Sequence, residues 1–148
     1  MKVIRAQLAN VSQAAPLFAS YREFYGESYD LEASASFLAS RLARDESIVL
    51  IAQDDAGLPV GFSQIYPAFS STRLAPIWIL NDLFVSEDAR GTGAVDALLD
   101  TAATLAVDAG AIAIELSTAH TNLRAQAVYD RSGYEADTVY KHYEKPLP

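Results

Sequence analysis

The chain has 148 residues and no cysteine, and its net charge of −8 comes from 11 basic and 19 acidic residues. This length suits one domain spanning residues 1–148, and the missing cysteines exclude disulfides and thiolate metal ligands, as is typical of the reducing cytoplasm. The acidic balance disfavours nucleic acid or an anionic membrane as a partner, because both attract basic surfaces. No segment approaches the roughly 20 apolar residues of a membrane-spanning helix, so we expect a cytoplasmic protein.

Apolar periodicity predicts the element order β-α-α-β-β-β-α-β-α-β. The first helix begins at a cap on Asn10 and ends at Gly26, and its aromatic residues are expected in the core or at a dimer surface. Residues 47–53 and 58–66 are expected to form a hairpin, and residues 67–76 a loop. The predicted strands are 2–7, 47–53, 58–66, 77–85, 112–117 and 134–145, with 112–117 central; the other predicted helices are 31–44, one ending at 109, and one from a cap at 121 or 122 to 133.

A glycine-containing loop, Arg90-Gly91-Thr92-Gly93-Ala94, lies between an apolar strand and a helix. Backbone amides at such a place meet the positive end of the helix dipole and attract phosphate. A dinucleotide fingerprint would need glycine or alanine where the chain has Asp96, and a P-loop would need Gly-Lys-Ser/Thr, so neither fits. From this loop alone, a phosphate site and a purely structural turn both remain open.

A second motif follows the next apolar strand: Asn122-x-x-Ala125-x-x-x-Tyr129-x-x-x-Gly133-Tyr134. The two motifs in this order resemble the GNAT superfamily of acyl-CoA-dependent N-acetyltransferases. The segment LNDLFV and the tail YEKPL look most like its subgroup of histone/polyamine and spermidine/spermine acetyltransferases. The resemblance implies an α/β fold with a mixed, mostly antiparallel sheet, splayed central strands and helices on both faces.

The same resemblance implies acetyl-CoA as the acetyl donor, with no metal. Its pantetheine arm would pair with the backbone of Phe84 and Val85, and its pyrophosphate would rest on the amides from Arg90 to Val95. Val95 and Asp96 depart from the family pattern, and Asp96 competes with phosphate for the positive helix end. The cofactor-binding residues predicted in this way are Phe84, Val85, Arg90, Gly91, Thr92, Gly93, Ala94, Val95 and Asn122, although helix capping also accounts for Asn122.

Tyr129 matches the family tyrosine that faces the cofactor sulfur as general acid. Since a thiol has a pKa of about 8.5 and a tyrosine of about 10, full proton transfer is uphill by roughly 2 kcal/mol, and we expect a hydrogen bond to the developing thiolate. A primary amine must lose a proton before it attacks, and Asp82 is the predicted base, directly or through water. The alternatives are a tyrosine packed on its helix and a buried structural carboxylate.

Glu27 and Asp30 lie in the helix connection that, by resemblance, borders the acceptor site, and with Asn81 they are the predicted substrate-binding residues. Solvated charge at the helix ends is the alternative. We expect direct attack in a ternary complex by a small cationic amine, either a polyamine or an amino-acid-like compound, and a homodimer formed through the N-terminal helices or the last strand. The competing functions are a CoA-binding module with little catalysis and a protein or peptide lysine acetyltransferase.

Overall fold

The computed structural model describes residues 1–148 and contains five strands and four α-helices. Two short 3-10 turns, Leu8–Asn10 and Glu87–Ala89, precede α1 and α3. The elements in chain order are β1 (Lys2–Arg5), α1 (Val11–Phe24), α2 (Leu31–Ala43), β2 (Ile48–Gln53), β3 (Pro59–Ser70), β4 (Ala75–Val85), α3 (Ala94–Asp108), β5 (Ile114–Glu115) and α4 (Leu123–Arg131).

The chain divides into two compact units, Met1–Ser117 and Thr118–Pro148. All five strands and helices α1 to α3 belong to the first unit, and α4 belongs to the second. No helix has the length and apolar character needed to cross a membrane.

The sheet of the first unit has the strand order β1-β2-β3-β4-β5, in which β4 and β5 are parallel and the other neighbours are antiparallel. Helices α1 and α2 pack on one face and α3 packs on the other, because each helix has an apolar stripe that it must bury. The mixed, mostly antiparallel sheet predicted from sequence is confirmed. The core between α1, α2 and the sheet is built largely of Leu17, Phe18, Leu38, Val49, Ile51 and Phe62.

The predicted hairpin of residues 47–53 and 58–66 is confirmed by the antiparallel pairing of β2 and β3. The predicted loop at 67–76 is wrong for most of its length, because β3 runs to Ser70 and β4 begins at Ala75. Pro67 pairs with Trp78 in this extension. The β2 register ends where Ile48 meets Ile65, so Pro67 has a strand on one side only and its missing N–H breaks no ladder. Proline is a turn signal in sequence, but here it lies in a strand.

Strand β4 contains a β-bulge at Asn81. Gln64 of β3 pairs with Asp82 and the next residue, Ile65, pairs with Leu80, so Asn81 is the additional residue on β4. Leu80 therefore shares the α3 face with Ile65, while Asp82 shares the α1 face with Gln64. Without the bulge, strand alternation would place Asp82 on the same face as Leu80.

The prediction for residues 112–117 is wrong in position and length. Strand β5 is Ile114–Glu115 and lies at the edge of the sheet, not in its centre. Its flanking residues add two backbone bonds to β4, Ile112 N to Pro76 O and Trp78 N to Ala113 O, each 2.9 Å long. An apolar strand run does not reveal how many neighbours it has, since that depends on distant segments.

The predicted last strand, residues 134–145, is absent. Asp137 Oδ1 instead accepts hydrogen bonds from the backbone N–H groups of Val139 and Tyr140, at 2.8 and 3.0 Å. This local turn uses amides that a strand would give to a neighbour. The side chains of Val139, Tyr140 and Tyr143 are exposed, so the alternating pattern does not mark a buried face here.

We expect Gly61→Ala to lower the free energy of unfolding by about 1 to 3 kcal/mol, because the site is already filled. An added Cβ would lie 3.0 Å from Val85 Cγ2 and 3.1 Å from the Phe84 carbonyl oxygen. Urea unfolding measures the change. Ser63→Ala is the control on the same strand: the Ser63 hydroxyl is buried without a partner, so its removal is expected to leave stability equal or higher. Equal stabilities for Gly61→Ala and the parent chain would contradict the tight approach.

Candidate functional site

The outer edge of β4 is paired for only part of its length. Beside β5 it is bonded through Trp78, and beyond Ile79 its only strand neighbour is β3. Ser86 N donates to Val60 O at 2.9 Å, which places the backbone groups of Ser86 on the β3 side. Alternation along the ladder then directs the backbone groups of Leu83 and Val85 away from β3.

This pattern distinguishes the two residues predicted to pair with a pantetheine arm. Val85 has its backbone N–H and C=O on the outer edge, where an extended ligand can add to the sheet. Phe84 directs its backbone groups toward Phe62, its register partner in β3. Leu83, which the sequence did not indicate, offers the second pair of outward groups.

The glycine loop follows β4 directly and leads into α3. Gly91 and Gly93 have φ values of +82° and +88°, which side-chain-bearing residues rarely adopt. The first hydrogen bond of α3 joins Ala97 N to Gly93 O at 3.0 Å, so the amides of Ala94 and Val95 have no intrahelical acceptor. These amides make the start of α3 a favourable place for an anion.

The side chains of the loop support its shape. Thr92 Oγ1 donates to the carbonyl oxygen of Ala89 at 2.6 Å and closes the turn. Arg90 forms a loose ion pair with Glu87, with 3.8 Å between Nη1 and Oε1. Asp96 lies in the first turn of α3, as predicted, and is half-buried there. Its carboxylate therefore shares the helix end with any bound phosphate.

Asp82 is the buried acidic side chain on the α1 face of β4, with 5% of its surface exposed. Gln64 Nε2 donates to its Oδ2 at 2.8 Å, and Asn81 Nδ2 donates to its Oδ1 at 3.2 Å. Burial raises the pKa of Asp82 above its ordinary value, while hydrogen bonds from Gln64, Tyr21 and Asn81 oppose that rise. A carboxylate whose pKa is raised in this way is a better proton acceptor near neutral pH than an exposed one.

A tyrosine of β3 faces this carboxylate. Tyr66, two residues after Gln64 on β3, has its pKa raised to about 12, first by burial and then by the negative charge of Asp82. Arg41 of α2 opposes that rise with its positive charge. Its guanidinium is bonded to Glu46 and lies 4.8 Å from the centre of the Phe37 ring. Tyr66 therefore remains protonated at physiological pH and keeps its hydroxyl hydrogen.

Sequence reasoning did not identify Gln64, Tyr66 or Tyr21 as site residues. Gln64 is fully buried in the run GFSQIY, and a polar residue at an inward position of an apolar strand is a usable signal. The sequence predicts Tyr21 only as one of the aromatic residues of the first helix. Its ring does pack in the core, against Phe62 and Phe84. Its hydroxyl additionally donates to the carbonyl oxygen of Asn81 at 3.4 Å.

The three residues predicted to bind substrate differ in their surroundings. Asn81 is exposed at the bulge beside Asp82. Asp30 caps α2 by accepting from Ala33 N at 2.9 Å, so one of its oxygens has a structural role. Glu27 is exposed and lies 3.9 Å from Nη2 of Arg22. Helix capping and surface pairing thus account for part of this acidic charge.

The second unit holds the remaining predicted residues. Asn122 caps α4, accepting from Ala125 N at 3.1 Å, as the capping interpretation predicts. The ring of Tyr129 lies 5.7 Å from that of Tyr134 in an edge-to-face contact. Gly133 adopts φ +83°, and Tyr134 N donates to Tyr129 O at 3.0 Å, which ends the helix as expected. Burial raises the pKa of Tyr134.

Comparison with known proteins assigns a family to this arrangement. The Acetyltransferase (GNAT) family matches residues 14–134. The protein "Uncharacterized N-acetyltransferase YhfO" of Bacillus subtilis is 43% identical over 148 residues, covering 100% of this chain and 99% of the relative. A "D-amino-acid N-acetyltransferase HPA3" of Saccharomyces cerevisiae is 31% identical over 85 residues, which are 57% of this chain and 53% of that protein.

Solved structures agree with this assignment. A crystal structure of a probable acetyltransferase superimposes with a TM-score of 0.94 and 40% identity, covering 100% of this chain and 99% of that one. The ribosomal-protein-alanine N-acetyltransferase of Brucella melitensis superimposes with a TM-score of 0.82 and 21% identity over 99% of this chain and 100% of its own. The second similarity shows a shared fold.

Asp82→Asn is expected to flatten the dependence of the free energy of unfolding on pH. Because the folded-state pKa of Asp82 lies above its ordinary value of 3.8, the folded chain holds more protons than the unfolded chain between the two values, and stability falls as pH rises through that window. The asparagine variant loses this contribution. Urea unfolding from pH 3 to 8 measures the slope.

Asp88→Asn is the matched control, because Asp88 is exposed in the turn before the glycine loop. We expect its pH profile to follow that of the parent chain. An Asp82→Asn variant whose stability is as pH-dependent as that of the parent would contradict a carboxylate destabilised by burial.

Proposed function

This chain belongs to the acetyltransferase (GNAT) family and is an N-acetyltransferase, and we propose that it transfers the acetyl group of acetyl-CoA to a primary amine of a small molecule. The observation that carries this proposal is the continuity of two binding features within one unit. The outward backbone groups of Leu83 and Val85 lead directly into the amides at the start of α3. An extended arm that ends in a diphosphate is complementary to that sequence of donors and acceptors.

The residues present fit acetyl-CoA. The backbone of Leu83 and Val85 would hold the pantetheine arm as an added strand. The amides of Gly91, Gly93, Ala94 and Val95 would hold the pyrophosphate. Of the other predicted amides, Thr92 N donates to Ala89 O at 3.4 Å and Arg90 N donates to Glu87 O at 3.2 Å. Backbone donors place no demand on side-chain type, and the glycines at 91 and 93 leave the loop surface open, since an added Cβ at either would meet nothing within 4 Å. Arg90 would add positive charge, and Asp96 would reduce the affinity.

Bound acetyl-CoA supplies a thioester carbonyl for attack and a thiolate as leaving group. Asp82 takes up the proton that the acceptor ammonium must lose, and its raised pKa suits that role. The role of Tyr129 as hydrogen-bond donor to the departing sulfur rests on the family resemblance. The acceptor attacks directly in a ternary complex.

We propose a polyamine or an amino-acid-like compound as the acceptor. Glu27 and Asp30 give the connection between α1 and α2 a negative charge that attracts an ammonium group. The yeast relative, named as a D-amino-acid N-acetyltransferase, supports the amino-acid-like choice. The cytoplasmic location, the homodimer and the single domain over residues 1–148 stay predictions.

The direct test combines the protein with acetyl-CoA and a panel of polyamines, D- and L-amino acids and a lysine peptide, while the release of free thiol is measured. Thiol release with a polyamine or amino acid supports the proposal. Release with the peptide alone would assign the chain to protein acetylation. Binding of acetyl-CoA without release of free thiol for any amine would indicate a CoA-binding module.

Gly93→Val is expected to weaken acetyl-CoA binding by about tenfold or more, because valine cannot adopt the φ of +88° without strain and the amides would move. Gly57→Val is a matched control: Gly57 has φ +83° and equally open surroundings in the turn between β2 and β3. Calorimetry measures the affinity of both variants. Equal affinities would contradict the placement of the pyrophosphate at the start of α3.

Tyr129→Phe is expected to lower kcat about 100-fold or more with little change in acetyl-CoA affinity, because the hydroxyl acts on charge that develops only during the reaction. Tyr143→Phe, at an exposed tyrosine of the tail, is the control. Steady-state kinetics with the best acceptor of the panel measure the effect. An unchanged kcat would remove the role of Tyr129.

A further inference from the structure

Tyr21 of α1 lies between the buried Asp82 and the surface. Its side chain is half-buried, and four aromatic rings hold it: Phe18, Tyr25, Phe62 and Phe84, with ring centres 4.9 to 6.5 Å away. A ring packed on so many sides keeps its hydroxyl in one place. That hydroxyl reaches the bulge, 3.4 Å from the Asn81 carbonyl oxygen. A hydrogen bond from Tyr21 also lowers the pKa of Asp82 against the effect of burial. Because the phenol has one hydrogen, it donates to one of these two acceptors at a time.

Asp82 is enclosed by its own partners. Its side chain is 5% exposed, with Gln64 on Oδ2 at 2.8 Å and Asn81 on Oδ1 at 3.2 Å. A hydrated ammonium group would have to lose its water to reach a carboxylate buried this deeply, which is costly. A proton therefore needs an intermediate group to reach Asp82.

The charges around Asp82 favour one route over the other. Tyr66 approaches from β3, on the side of Arg41, whose guanidinium is paired with Glu46, so that side offers an ammonium no unpaired negative charge. Tyr21 belongs to α1, whose C-terminal end leads into the acidic connection with Glu27 and Asp30. An ammonium attracted by that connection approaches Asp82 from the Tyr21 side.

We propose that Tyr21 is a catalytic residue that relays the acceptor proton to Asp82; this inference rests on the proposed function. The N–H bond of the ammonium breaks as the proton binds the Tyr21 oxygen, and the original Tyr21 O–H bond breaks as its proton binds Asp82. The amine becomes a neutral nucleophile, Asp82 becomes neutral, and Tyr21 ends uncharged. The raised pKa of Asp82 makes it a suitable final acceptor.

The kinetic test compares Tyr21→Phe with the parent chain at pH 8 on two acceptors: the best amine of the panel, and its β,β-difluorinated analogue, whose ammonium pKa is lowered so far that most of it is uncharged at that pH. Loss of the proton relay in Tyr21→Phe is expected to lower kcat about 100-fold for the charged amine. The loss should be much smaller for the analogue, which needs no deprotonation before attack. Equal losses for both acceptors, or no loss for either, would overturn the relay.

Tyr25→Phe is the matched control, because Tyr25 follows α1, its ring lies 4.9 Å from that of Tyr21, and it is exposed. We expect parent-like kinetics for it. Carbon-13 titration of the Asp82 carboxyl without any substrate gives a second measurement: its pKa should rise in Tyr21→Phe and stay unchanged in Tyr25→Phe. An unchanged Asp82 pKa in Tyr21→Phe would also overturn the proposal.

Phenylalanine keeps the ring contacts, so thermal unfolding of Tyr21→Phe is expected to match that of Tyr25→Phe. Should the variant fail to fold, a proton inventory of kcat/KM on the parent chain decides: two protons in flight give a bowed dependence on deuterium fraction, and a linear or flat one would overturn the relay. Absence of acetyl transfer by the parent chain would defeat the proposed function, whereas transfer that is insensitive to Tyr21→Phe would defeat the relay alone.

Discussion

The bulge at Asn81 is the constraint on which the candidate site depends. One additional residue in β4 turns Asp82 from the α3 face to the α1 face, where Gln64 and Phe84 also lie. The same residue offers its carbonyl oxygen to Tyr21 and its side-chain amide to Asp82. A regular ladder would have buried the carboxylate on the α3 side, away from α1 and the acidic connection that follows it.

The two edges of β4 have different roles in the candidate site. The β3 edge is paired along the whole strand and makes β4 rigid, while the opposite edge meets β5 for a few residues only. Backbone groups that a longer β5 would have occupied are left at Leu83 and Val85. The short fifth strand is thus a condition for a ligand that binds as an added strand, followed by an anion site at the start of α3.

Burial of Asp82 costs stability and raises its affinity for a proton. A carboxylate in this position destabilises the folded chain when ionised, and hydrogen bonds from three neighbours offset only part of that cost. Groups with a perturbed proton affinity cluster at functional sites. The aromatic rings around Tyr21 fill the core beside α1. They also hold the Tyr21 hydroxyl at the bulge beside Asp82.

The sequence by itself determined the family, the order of most elements and the glycine loop, because these depend on local periodicity, on turn chemistry and on two motifs at fixed spacing. It predicted Asp82 as an acidic site residue but not its face, since one additional residue in a ladder is invisible until the partner strand is known. The short edge strand β5, the missing strand after Tyr134 and the contacts of Gln64 and Tyr21 with Asp82 depend on pairings between distant residues. Tertiary structure alone decided these, because burial and pairing energies act between segments that the chain brings together only on folding.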